Sequence, residues 1–322
     1  MEEAVKNLAF VTLAFLSALS LEAGDVRPAR LLASRTVTVV DAQPVADPTL
    51  LPRLLEQARQ ARSAVHANAI GDSRSVRTFF FPAAGSLAGA GGLFFRSDVT
   101  LVNYGAVPES VLVGFWPAGT SNPPSTTAPN TKIITIAPNQ STRFPDFVAN
   151  VMGTSGLGAL VFIPVIGTSV DANAAIDGFS RIYTKQPGSE GTVSQPFEAI
   201  DVFTLTTQIE VVSLGMQHDT AFRTNYGILN SDPVPHTYTV TCIGEGAQTT
   251  ATVTVPAFGM IQQAVPAGDY GALSVVFTLT DPGTSNLAWL AFASTTDNIT
   301  GDGWVSVASS DFTPNDLLQL GF

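Results

Sequence analysis

The chain has 322 residues, of which 45% are hydrophobic and 13% charged, so it can bury a core and is not a disordered polar chain. Asp and Glu number 26 against 15 Lys and Arg, a net charge of −11, which argues against nucleic acid or an anionic membrane as a main partner. One Cys and three His exclude a disulfide scaffold within the chain and argue against zinc held by Cys/His clusters.

From the N-terminus, Leu8 to Leu21 form an apolar run after Lys6, shorter than the roughly 20 residues a membrane-crossing helix requires. Ala18 and Ser20 then offer small residues for cleavage, with Ala23 as a second choice. This pattern predicts a secretory signal over residues 1–20. The mature chain is expected to be secreted, extracellular or held at the cell surface, with no membrane span once the signal is removed. In that oxidising setting Cys242 is either buried or available for pairing between chains.

Residues 21–77 read as a strand–helix arm. Arg35 to Val40 is one strand without a hairpin partner, so its backbone must join a sheet edge, in its own chain or in a neighbour's. Asp47-Pro48 supplies an N-cap and a first-turn proline. Leu51, Leu54, Leu55, Ala58, Ala61 and Val65 then recur at helical spacing, with Arg53, Arg59 and Arg62 assigned to the outer face. The arm is too small to fold alone. Gly71-Asp72-Ser73 resembles the opening of a lipase signature. No His follows His236 to serve such a serine, so the triplet reads as a turn.

The strongest signal is an internal repeat. FFRSDVTLVNYGAVP begins at Phe94 and AFRTNYGILNSDPVP at Ala221. Arg96 matches Arg223, Asn103 matches Asn230 and Pro108 matches Pro235, each pair 127 positions apart. Gly158-Ala-Leu160 then matches Gly271-Ala-Leu273, and GTVS at Gly191 matches GWVS at Gly303. Two copies of one unit follow, over 78–203 and 204–322. Within them the period is two: Tyr238, Val240 and Cys242 face one way and Thr237, Thr239 and Thr241 the other, with Val111, Val113 and Phe115 as first-copy equivalents. The expected fold is all-β: two tandem antiparallel β-sandwiches after the arm. Residues 117–124, partly absent from the second copy, read as a surface loop.

Candidates for chemistry are sparse. His66 ends the helix, and His218 and His236 stand in the second copy without a nucleophile placed by any motif. Gly153 to Gly158 is a flexible turn. Asp171, Asn173 and Asp177, and Asp297, Asn298 and Asp302, gather oxygen ligands without the EF-hand spacing. They are read as turns, with calcium as the one cofactor to consider. Trp116 and Trp304 are possible sugar-stacking surfaces, against core packing as the alternative. Thr204 to Phe322 carries 10 acids and only Arg223 as a base, whereas Arg53 to Arg77 carries 5 Arg against Glu56 and Asp72. That asymmetry invites contact between arm and second copy, in one chain or between chains, against plain solubility as the alternative.

The Phe-Arg-[Ser/Thr] openings, the Val-Pro turns, the Gly-x-Leu strands and the closing Gly-x-Val-Ser resemble tandem immunoglobulin-like repeats of secreted or surface proteins of environmental bacteria, over about Phe79 to Phe312. The resemblance implies stalks, adhesion modules or envelope parts without an active site, with Arg96, Asn103, Arg223 and Asn230 as structural landmarks. The expected function is a non-catalytic structural or adhesion protein that could assemble with itself through its N-terminal strand, head to tail. A carbohydrate-binding module acting on a surface glycan is the second reading.

Overall fold

The computed structural model describes residues 33–37, 41–66, 78–89, 92–122, 130–186, 188–283 and 287–310. The signal segment and the Gly71-Asp72-Ser73 triplet lie outside them. Among the described residues no helix is long and apolar enough to cross a membrane.

The arm contributes β1 (Ala33–Thr36), β2 (Gln43–Pro44) and helix α1 (Leu50–His66). The first copy follows as β3 (Phe79–Ala88), β4 (Phe94–Asn103), β5 (Glu109–Pro117), β6 (Asn130–Ile136), β7 (Gln140–Phe144), the short helix α2 (Phe147–Asn150), β8 (Gly156–Ile166), β9 (Ser169–Val170), β10 (Ile176–Lys185) and β11 (Thr192–Glu198). After β12 (Ile200–Asp201) the second copy runs through β13 (Glu210–His218), β14 (Phe222–Asn230), β15 (His236–Gly244), β16 (Gln248–Val255), β17 (Gly259–Ala264), β18 (Gly271–Leu279), β19 (Trp289–Asp297) and β20 (Gly303–Val307).

The second copy forms two antiparallel sheets, β13-β18-β15-β16 and β17-β14-β19-β20. The first copy repeats both orders strand for strand: β3-β8-β5-β6, and β7-β4 with β10 and β11 beyond it. There the two sheets are joined where Ser86 to Ala88 pair with Phe94 to Arg96. In each copy the alternate inward residues of both sheets share one core. Tyr238, Val240 and Cys242 meet Tyr226, Ile228 and Ala291 in the second; Val111, Val113 and Phe115 meet Val99 and Leu101 in the first. The period-two reading therefore assigned the faces correctly.

The pairing of strands departs from the immunoglobulin pattern, in which A lies beside B and G beside F. Here β3 runs along β8 and β10 along β4 in the first copy, as β13 runs along β18 and β19 along β14 in the second. Alternation marks strands and faces but carries no information on which strand neighbours which.

The arm is built into this body. Strand β1 pairs in parallel with β7 of its own chain, and Val37 N–H donates to Arg143 O at 2.9 Å. Strand β2 pairs with β6. Each sheet of the first copy thus receives one arm strand on an open edge, which satisfies backbone groups that would otherwise be exposed. The strand expected over Arg35–Val40 is found two residues earlier, with 38–40 outside the description, and it is used within the chain; head-to-tail assembly through it would require its release.

Asp47 caps α1, its carboxylate accepting from Thr49 N–H at 2.9 Å and from Thr49 Oγ1 at 2.7 Å. Those bonds hold its pKa below the ordinary value. The buried stripe Leu50, Leu51, Leu54, Leu55 and Ala58 enters an apolar layer with Phe80, Leu112, Trp116 and Val161 of the first copy and Leu229, Met260 and Leu290 of the second. Gly114 makes this approach possible: a Cβ there would stand 2.4 Å from Leu51 Cδ2. The segment expected as a surface loop also reaches across, over the part described, to residue 122. Gly119 N–H donates to Met260 O at 2.8 Å and Asn122 Nδ2 to Phe258 O at 2.8 Å.

Cys242 is fully buried in the second core, and burial pushes its thiol up to about 12. Since the thiolate is the reactive form, a thiol reagent at pH 8 should leave the folded chain unmodified and label it rapidly in denaturant. Rapid labelling of the native protein would contradict this placement.

Candidate functional site

Where the two copies meet lies a cleft of about 260 Å³. The first copy supplies Leu87 from β3, Phe95 from β4, Ile182 from β10 and Phe197 from β11; the second supplies Arg223 and Asn225 from β14, Gln262 from β17, and Phe292, Ser294 and Thr296 from β19. Phe197 and Phe292 close its floor edge to face, with centroids 5.5 Å apart. Gln195 ties the walls together, its Nε2 donating to Thr295 O at 3.0 Å and to Thr296 Oγ1 at 3.3 Å. The Arg223 guanidinium donates to Asn298 Oδ1 at 2.8 Å. Among the described residues the buried Gln262 Oε1 atom has no hydrogen-bond partner. An apolar floor with a few polar groups is the usual form of a small-ligand site, though this one is smaller than most.

Arg223 is the landmark residue that lines the cleft. Its equivalent Arg96 lies elsewhere, over the Phe94 ring at 4.6 Å and 3.5 Å from Asp146. The asparagine landmarks form one corner built twice. Asn103 Nδ2 donates to Val107 O at 2.8 Å and to Ile136 O at 3.1 Å, and its Oδ1 accepts from Gly105 N–H at 2.8 Å. Asn230 repeats this with Val234 O at 2.7 Å, Pro256 O at 3.0 Å and Asp232 N–H at 2.9 Å.

The two tryptophans have opposite surroundings. Trp116 is 1% exposed, packed between Phe80 and Phe258 with centroids 5.8 and 5.9 Å away. It joins the copies and offers no ring face to a glycan, which corrects its candidacy as a ligand contact. Trp304 is 37% exposed, fixed by Nε1 donating to Gly215 O at 2.8 Å and by edge contact with Phe222.

The sequence reading missed a buried ionic cluster. Arg59, assigned to the outer face of α1, is 8% exposed and pairs with the fully buried Asp232. Asp232 Oδ2 stands 3.1 Å from His236 Nε2, and His236 Nδ1 faces Asp281 O at 3.2 Å. Burial raises the Asp232 pKa, against the pull of Arg59 and His236. Two signals pointed here. Arg59 continues the Leu51, Leu55 spacing of the buried stripe, and Asp232 and His236 stand where the first copy has Gly105 and Glu109.

His218 accepts the Thr224 N–H at Nδ1, 3.0 Å away, and burial lowers its pKa against the charges of Asp219 and Asp269. The side chain of His66 lies outside the description. In the acidic loops the carboxylates serve their own turns: Asp171 accepts from Asn173 N–H, Asp177 from Gly178 N–H, Asp297 from Ile299 and Thr300 N–H, and Asp302 from Gly303 N–H.

Glu109 is buried at the start of β5, and burial, with the Asp171 charge beside it, pushes its carboxyl up to about 7. An acid whose pKa is raised by folding favours the fold most below its unfolded pKa, and that advantage is lost as pH rises through 7. Glu109→Gln should therefore raise the melting temperature at pH 8 and leave it nearly unchanged at pH 5. An equal shift at both pH values would sink this account.

Comparison of the chain with family models, with curated proteins and with solved structures found no match.

Proposed function

We propose that the protein is a non-catalytic structural or adhesion component of the bacterial cell surface, exported by its N-terminal apolar segment. The observation that supports this most is the use made of its ionisable groups. His218 holds a backbone amide, while Arg59, Asp232 and His236 fasten the arm to the second copy. These are the tasks of struts. Arm strands on both sheets of the first copy and an apolar layer across the junction suit a part that carries load or presents a surface. Immunogold labelling of producing cells should place the protein on the outer surface, and label confined to the cytoplasm would overturn the reading. Turnover on ester or glycoside substrates that is lost in His218→Ala or His236→Ala would overturn its non-catalytic part.

The exposed face of Trp304 favours a second reading, as a glycan-binding module, because a flat ring matches the apolar face of a pyranose. A glycan array read with the parent and with Trp304→Ala decides it. Binding that disappears in the variant supports glycan recognition, and no binding by the parent removes it.

A further inference from the structure

Each copy presents the same sheet edges, and the chain treats them unequally. In the first copy β2 covers β6 and β1 covers β7. In the second, Gly119 N–H binds Met260 O on β17, and the β13 side is bridged where Val212 and Ser309 exchange backbone hydrogen bonds. The equivalent of the β6 edge is the outer side of β16, and among the described residues nothing pairs with it. Proteins ordinarily guard such an edge with charge, proline, a bulge or brevity. Strand β16 reads Gln-Thr-Thr-Ala-Thr-Val-Thr-Val over Gln248–Val255, and its pairing with β15 runs through all eight residues without a break. It carries no charge in a chain of net charge −11.

We propose that β16 is a two-fold interface, pairing antiparallel with β16 of a second copy of this chain. The commitment to a second copy rests on self-complementarity. Val253 and Val255 face the core, so Thr250, Thr252 and Thr254 face outward. Sheets that continue across a two-fold axis must place outward residues opposite outward ones. A register centred on Thr252 meets this condition: Thr250 falls opposite Thr254, Thr252 opposite its own copy, and Ala251 opposite Val253. No like charges meet. The chain already uses this kind of contact, since Thr237, Thr239 and Thr241 of β15 lie directly opposite Thr254, Thr252 and Thr250. Two of those pairs bring their hydroxyls to 3.4 and 3.0 Å. Cross-strand threonine pairs of this kind stabilise a sheet. The edge is open because its partner is another molecule, and the β2 strand on β6 shows what fills that position in the first copy.

A strand-to-strand contact is small beside a permanent dimer interface, so the dimer should dissociate on dilution. Light scattering of the full chain over a concentration series should show mass rising from one chain towards two. Thr252→Lys, which sets two ammonium groups against each other on the axis, should hold the protein monomeric with an unchanged melting temperature. The register has its own test: Thr252→Cys should give a disulfide-linked dimer under mild oxidation, whereas Gln248→Cys, far from its counterpart in this register, should not. Cys242 is buried and does not interfere. A parent that stays monomeric throughout overturns the proposal, as does a dimer indifferent to Thr252→Lys. Cross-linking equally efficient at both positions overturns the register.

Discussion

Arg59→Met is expected to lower the unfolding free energy by about 3–5 kcal/mol, the range found when one partner of a buried ion pair is removed. The side chain lies on α1 and its partner Asp232 in the turn before β15, so this ion pair helps to join the arm to the second copy. Methionine keeps the apolar stem and removes the charge. Asp232 is then left fully buried, with His236 and the Ala288 backbone N–H beside its carboxylate but without the guanidinium, and its pKa rises further above the unfolded value. A raised acid favours the fold at low pH and loses that advantage as pH rises through its folded pKa. The deficit of Arg59→Met should therefore be larger at pH 8 than at pH 5. Adding Asp232→Asn should recover much of it, because neutralising both members of a buried pair costs far less than breaking it. Urea unfolding at the two pH values measures all three variants. A loss that is small, or the same at both pH values, would mean that the cluster is not a charged pin.

What could be read from the residues, and what could not, divides along physical lines. The inward and outward faces of HTYTVTC and the capped helix after Asp47 are local properties, and the structure has them where the pattern placed them. Arg59 was assigned to solvent because charge was weighed above position. Its i, i+4 relation to Leu55 put it on the buried stripe, where an arginine is tolerated only opposite an acid. That acid is 173 residues away in sequence, and no periodicity reports a contact of that kind. The edge-covering roles of β1 and β2 share this limit: an isolated strand must pair, but its own residues do not choose among the edges. The cleft was illegible for a further reason. Its lining includes Phe95, Ile182, Phe197 and Phe292, which stand on four strands drawn from both copies, and alternation along one strand does not report which strand of the other copy it faces. Trp304 was visible as a candidate, and its exposure depends on the edge position of β20, which pattern alone does not supply.

Trp116→Ala should cost about 3–5 kcal/mol, as expected for truncating a fully buried aromatic side chain. The ring sits at the end of β5 and fills the space between Phe80 of its own copy and Phe258 of the other. Around it Leu54 and Leu55 of α1 and Met260 of β17 complete one apolar layer. Nothing at this position touches the cleft or the exposed β16 edge, so the variant isolates the junction from the surfaces proposed to act. If the layer makes the two copies one folding unit, the parent unfolds in a single transition. Trp116→Ala should then lower that transition or split it, with the copies melting separately once their contact is weakened. Trp116→Phe, which keeps a ring in the gap, should lose distinctly less. Calorimetry distinguishes the outcomes: two transitions already present in the parent would mean that the copies are independent beads. In that case the arm would be a tether, and the load-bearing role would fall to the linker between the copies. One parent transition, lowered in the alanine variant, makes the arm and junction the feature that turns two repeats into one rigid part.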